Sequence, residues 1–292
     1  MNLPISQAYR DLIKEMITKA RHPLEIDENS VWQEANKATR PYINKMLSEL
    51  LEEGSRIEGI ENLKQLYKQS KEGKSCLLLV EHYSNFDLPT LIYLLENMGE
   101  EGQEIADHII AIAGLKLNEH NELVKAFTEA YSRIVIYPSR SLAKMDEETL
   151  RKEFPKSKAI NRAAMHMLIE KKHSGNIILV FPSGTRYRPG KPETKKGVKE
   201  IDSYLKSFDL VCFVGIAGNI LRINPDEHKM EDDIVCKDKI IFLVDTPQSA
   251  KDFREKAKES CPEGTDKKQW VADRIMEKLE SLHTKAEELR KE

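Results

Sequence analysis

Two periodicities share this chain, and they change over near residue 73. Before Gly73 the apolar side chains recur at helical spacing, in Ile13, Met16 and Ile17 and again in Ile43, Met46, Leu47 and Leu50, which predicts amphipathic helices. Asn29-Ser30 ahead of Val31 reads as a helix N-cap, Gly54 as a stop, and a further helix is expected from about Ile60 to Ser70. Residues 1–72 therefore read as a small N-terminal helical domain.

Beyond Gly73, short apolar runs alternate with amphipathic segments. Strands are expected at Ser75–Val80, His108–Ala113, Arg133–Tyr137, Asn176–Phe181, Leu210–Ala217 and Lys239–Val244, with a short one at Ile234–Lys237. Helices are expected at Leu88–Asn97, Glu119–Ala130, Lys158–Lys172 and Thr194–Lys206. The alternation predicts an α/β domain over residues 73–292, with a mostly parallel sheet flanked by helices. Residues 249–292 read as helix broken near Cys261-Pro262-Glu263-Gly264, and the Lys- and Glu-rich end predicts a solvated surface helix.

Composition narrows the partners. Of 292 residues, 40% are hydrophobic and 33% charged, as in a globular protein. The 46 basic and 49 acidic side chains leave a net charge of −3, against a general nucleic-acid binder. Cys76, Cys212, Cys236 and Cys261 lie far apart with no C-x-x-C pair, so neither a disulfide framework nor a zinc site is expected, and a reducing compartment such as the cytoplasm fits. The histidines show no metal-ligand spacing, and no metal or other cofactor is expected. Met1–Ala20 lacks the continuous apolar core of a signal peptide, and the longest apolar runs are too short to span a bilayer. The N-terminal helices could touch a membrane surface; packing in a helical bundle is the simpler use of their apolar faces.

Two segments carry chemistry: Glu81-His82-Tyr83-Ser84-Asn85-Phe86-Asp87, and Phe181-Pro182-Ser183-Gly184-Thr185-Arg186-Tyr187-Arg188-Pro189. Positions five apart on a helix sit about 140° apart around its axis, so His82 and Asp87 can meet only if 82–86 form a turn. Ser84-Asn85 supply turn chemistry, and Asp87 stands where an N-cap would precede Leu88-Pro89. His82 then lies at the carboxyl end of a strand, where open α/β sheets place ligands. Asp87 would orient one ring nitrogen while the other takes a proton from a hydroxyl; an aspartate at a helix start can equally be a cap and no more. Arg186 and Arg188 follow a buried strand, past Gly184, whose freedom allows a positive φ. Guanidinium forks hold phosphate in two-point contact, although two solvated arginines would read the same. Lys191, Lys195, Lys196 and Lys199 are either a solvated face or a docking patch for an acidic carrier. A third strand end delivers Arg140 after Tyr137-Pro138-Ser139. Parallel strands would bring His82 with Asp87, Arg140, and Arg186 with Arg188 to one edge of the sheet.

These residues resemble the glycerolipid acyltransferases that carry an H-x-x-x-x-D motif, here His82 to Asp87. The later block of that family, commonly F-P-E-G-T-R, stands here as Phe181 to Arg186. The string Pro182 to Pro189 looks closest to the soluble plastid-type glycerol-3-phosphate 1-O-acyltransferases, in which a helical domain also precedes an α/β domain. The resemblance implies His82 as general base, Asp87 as its orienting partner, and Arg140, Arg186 and Arg188 as ligands of the glycerol 3-phosphate phosphate. Backbone amides near Gly184 or Ser84 are the candidate oxyanion donors, with Ser141 a further candidate substrate contact. Ser141 stands where that subgroup has a histidine, and Ser183 replaces the wider family's glutamate, as in the plastid type. The implied reaction moves a fatty acyl group from acyl carrier protein or coenzyme A to the sn-1 hydroxyl, in the cytoplasm or a stroma-like compartment, with transient contact at a membrane surface. Acylation of lysophosphatidate or another polyol phosphate is the alternative. A thioester hydrolase and a non-catalytic lipid-binding protein are the other rivals; Ser183 lacks the G-x-S-x-G elbow of a nucleophile.

Overall fold

The computed structural model describes residues 3–21, 25–115, 122–143, 145–225 and 230–292. It has a mixed α/β fold, divided into two compact units. The first comprises Met1–Ala8, Asn44–Ile109 and Lys172–Glu292, and the second Tyr9–Ile43 and Ile110–Lys171. Residues 1–72 are thus shared between the units.

In the first unit the sheet is built from β1 (Arg56–Glu58), β2 (Cys76–Val80), β3 (Ile177–Val180), β4 (Leu210–Ala217) and β5 (Ile241–Val244), in the order β3-β2-β4-β5-β1. β2 runs parallel to both β3 and β4. β5 is antiparallel to β4, and β1 pairs parallel with β5. Every residue of β2 and β3 is buried, which explains their unbroken apolar sequences: strands covered on both faces have no polar side to alternate with. A small antiparallel sheet joins Leu3–Pro4, Ile234–Val235 and Leu221–Arg222.

The C-terminal helix, Lys267–Lys291, overturns the expectation of a solvated element. Val271, Ala272, Ile275, Leu279, Leu282 and Ala286 are buried along it. The stripe is narrow and partly alanine, so the surrounding Lys and Glu mask it. A Cβ on Gly215 of β4 would lie 2.6 Å from the Leu282 carbonyl carbon and 2.7 Å from the His283 nitrogen, so helix and strand touch backbone to backbone, a contact open only to glycine. The helix expected at Thr194–Lys206 is a 3₁₀ turn at Pro192–Lys195 followed by a helix at Ile201–Ser207.

In the second unit, Arg133–Ile136 pairs antiparallel with Trp32–Gln33 and parallel with Ile109–Gly114. Asn29-Ser30 starts no helix. Instead the Asp27 carboxylate accepts from the Asn29 amide at 2.9 Å and the Ser30 hydroxyl at 2.7 Å, closing a turn, the competing use of such side chains. The helix expected from Lys158 begins at Glu147, where the Asp146 carboxylate accepts from the Thr149 amide at 2.9 Å. Part of the helix expected at Glu119–Ala130 lies outside the described residues; the described part is Glu122–Glu129. Ile13 and Met16, like Ile43, Met46, Leu47 and Leu50, are buried, so these N-terminal apolar stripes are used in packing. No helix among the described residues is long and apolar enough to cross a membrane.

Candidate active site

The register of two parallel strands explains why the two motifs meet. Leu79 of β2 lies opposite Val180 of β3, so Glu81-His82 and Phe181-Pro182 leave the sheet at the same edge. The His82 ring stacks on the Phe181 ring, with centroids 4.0 Å apart and planes inclined by 16°. The arginine loop then returns: the Tyr187 amide donates to the His82 carbonyl at 2.8 Å.

Residues 82–86 form the expected turn, and the helix begins at Asp87 itself, with Phe86 in the capping position. Asp87 therefore does not cap the helix. Its carboxylate points back into the turn, where Oδ2 accepts from the Tyr83 amide at 2.7 Å and the Ser84 amide at 2.9 Å and lies 2.9 Å from His82 Nδ1. Asp87 is 6% exposed. An ionised carboxylate in this position holds the proton on Nδ1 and leaves the Nε2 lone pair to accept another. The Ser84 hydroxyl accepts from the Phe86 amide at 2.9 Å, so hydroxyl and amide of Ser84 both build the turn. The Gly184 amide likewise donates to the Phe181 carbonyl at 2.9 Å, and Gly184 adopts φ +62°. Both amides considered as oxyanion donors are thus engaged within their own turns. The Ser183 hydroxyl donates to the Thr185 carbonyl at 2.6 Å and braces the loop.

Arg186 is buried, and its guanidinium forms an ion pair with Asp233. Asn85, from the histidine turn, reaches the same carboxylate oxygen with its amide at 3.4 Å. Asp233 thereby ties the two motifs together from behind. Burial pushes its carboxyl above the usual carboxylate range, opposed by the charges of Arg186 and then Arg188. Arg188 is half-buried, and its amide donates to Thr194 Oγ1 at 2.8 Å. Arg140 and Ser141 belong to the second unit, on the single helical turn Ser139–Leu142, with Arg140 exposed. Sequence reasoning missed Asp233, because nothing in the run Glu231-Asp232-Asp233 marks one carboxylate as the partner of an arginine far upstream.

A second missed cluster adjoins His82. Glu81 is buried; its Oε2 accepts from the Ile216 amide at 2.9 Å and its Oε1 from the Tyr83 hydroxyl at 2.9 Å. His283 Nδ1 lies 2.6 Å from the Ile216 carbonyl, 3.3 Å from the Tyr83 hydroxyl and 3.4 Å from Glu81 Oε2. Glu81 holds the His283 imidazole above its ordinary pKa despite burial. Lys195, whose charge the sequence left open, pairs with Glu280 and sits over the Tyr83 and Tyr187 rings at 5.7 and 5.5 Å. The raised value fixes a sign. The stabilisation from charged His283 is complete below the ordinary histidine pKa and is lost as pH rises through the folded-state value. In urea unfolding, the stability gap between the natural protein and His283→Ala should be larger near pH 5.5 than near pH 9; a gap independent of pH would show that the ion pair does not form.

The family model described as Acyltransferase matches residues 54–206, which include both motifs. No curated protein matches the chain. Among solved structures, the 1-acyl-sn-glycerophosphate (LPA) acyltransferase PlsC from Thermotoga maritima is similar, with a TM-score of 0.41 and 15% identity, covering 94% of this chain and 88% of that one. With the family match spanning just over half of its length, the chain belongs to the acyltransferase family.

Proposed function

We propose that this acyltransferase transfers a fatty acyl group from a thioester of acyl carrier protein or coenzyme A to the sn-1 hydroxyl of glycerol 3-phosphate. The observation that carries the proposal is the 2.8 Å hydrogen bond from Tyr187 to the His82 carbonyl, which fastens the arginine-bearing loop to the turn that presents the imidazole. An alcohol is a weak nucleophile near neutral pH. His82 Nε2 removes the hydroxyl proton as the oxygen attacks the thioester carbonyl carbon, and Asp87 supports the imidazolium that forms. The carbon–sulfur bond then breaks, the thiolate takes that proton, and ester and free thiol leave. No acyl-enzyme is required, because the acceptor itself is the activated nucleophile. Arg188 grips the phosphate, with Arg186 held behind it by Asp233, and this grip sets the distance between hydroxyl and base.

The test is thiol release from one acyl thioester with different acceptors. Glycerol 3-phosphate should give the fastest release. A faster rate with lysophosphatidate or another polyol phosphate would move the assignment to that acceptor, and equal release with no acceptor would make the protein a thioesterase. Arg188→Ala should raise KM for glycerol 3-phosphate by about 10–100-fold, the worth of a charge-assisted contact, with kcat changed far less. An unchanged KM would remove Arg188 from the phosphate site.

A further inference from the structure

The long helix Glu147–Lys172 buries Ser157, Ile160, Ala164 and Leu168 on one face and leaves another face bare. On that bare face Phe154 is 45% exposed, Met165 53% and Ile169 50%. At about 100° per residue, these three fall within about 60° of one another around the axis, along roughly 22 Å of helix. Cations flank the line. Lys158 lies on the same stripe, with its ammonium 4.6 Å from the centroid of the Phe154 ring. Arg151 and Arg162 are exposed beside it, whereas Lys152 and Lys156 lie about 100° or more away around the axis. Arg151 and Lys152 pair with Glu147 and Glu148 at 2.7 Å each, while Lys156, Lys158 and Arg162 make no ion pair among the described residues.

We propose that this face rests on an anionic lipid surface. The charge complements such a surface, and the order of the side chains fits a bilayer better than a protein partner. Three apolar side chains spaced along one line would each need a matching hollow on a folded partner. A lipid interface takes them in without shape matching, and the aliphatic stems of lysine and arginine let their charges stay at the headgroups. Because the neighbouring face is already packed, the helix can bind without first having to fold. The proposal goes beyond the reaction assigned above and holds for any acceptor.

The experiment is co-sedimentation of the full chain with vesicles of phosphatidylcholine, with and without phosphatidylglycerol. The natural protein should bind the phosphatidylglycerol vesicles, and bind them less as salt is raised. Two variants, the triple Phe154→Ser/Met165→Ser/Ile169→Ser and the double Lys158→Glu/Arg162→Glu, should each weaken binding about tenfold or more. All five positions are exposed, so both variants should keep natural circular dichroism and natural thiol release with water-soluble substrates. Natural protein left in the supernatant at low salt would overturn the proposal in favour of an acidic protein partner, and so would two variants that bind as well as the natural chain. Loss of thiol release with vesicle binding intact would count against the reaction and leave the lipid-facing helix standing.

Discussion

His82→Ala should lower acyl transfer by about 10²–10⁴-fold, the usual contribution of a positioned general base, while leaving the fold in place. The structure separates the two effects. What His82 gives to the architecture is mainly its carbonyl, which accepts from Tyr187, and alanine supplies the same group. The lost part is the ring, held 2.9 Å from Asp87 on one side and stacked on Phe181 on the other. Thiol release measured beside circular dichroism checks both halves. Turnover within about tenfold of the natural rate would mean that another group deprotonates the acceptor.

Arg186→Ala should act differently, by unfolding. The Asp233 side chain is only 2% exposed, and without the guanidinium it keeps the Asn85 amide at 3.4 Å and a backbone hydrogen bond from Asn224, but no partner of opposite charge in direct contact among the described residues. Removing one member of a buried ion pair costs about 3–5 kcal/mol, because the charge left behind has lost its compensation. Urea unfolding should show that deficit. Adding Asp233→Asn should recover part of it, since the two changes share one interaction. The deficit should also shrink on acidification: Asp233 already sits above the ordinary carboxylate range, and protonation removes the stranded charge. A deficit below about 1 kcal/mol would put the pair in the class of weak surface bridges and leave the loop held by its backbone alone.

The parts of this molecule legible in the sequence are those decided locally. β2, β3 and β4 stand out because burial on both faces writes unbroken apolar runs. The His82–Asp87 turn was legible because a five-residue spacing cannot bring the two side chains together on a helix. What stayed hidden depends on pairing between distant segments. Periodicity identifies the apolar stripe of a helix without naming the sheet that covers it, and Lys267–Lys291, with its alanine-lined stripe, passed for a surface element. Asp233 and His283 are ordinary residues until the fold sets them against Arg186 and Glu81. The division into units escaped for the same reason: each unit gathers stretches separated along the chain, and the short strands Trp32–Gln33 and Arg56–Glu58, which lie before the change of pattern near Gly73, pair with segments far downstream.

The Asp233 carbonyl accepts from the Ile5 amide at 2.9 Å, just past the strand Leu3–Pro4. The carboxylate that pairs with Arg186 is therefore itself moored by the earliest described residues. A disturbance that peels this edge away need not reach the imidazole to be felt; it would loosen the arginine-bearing loop first.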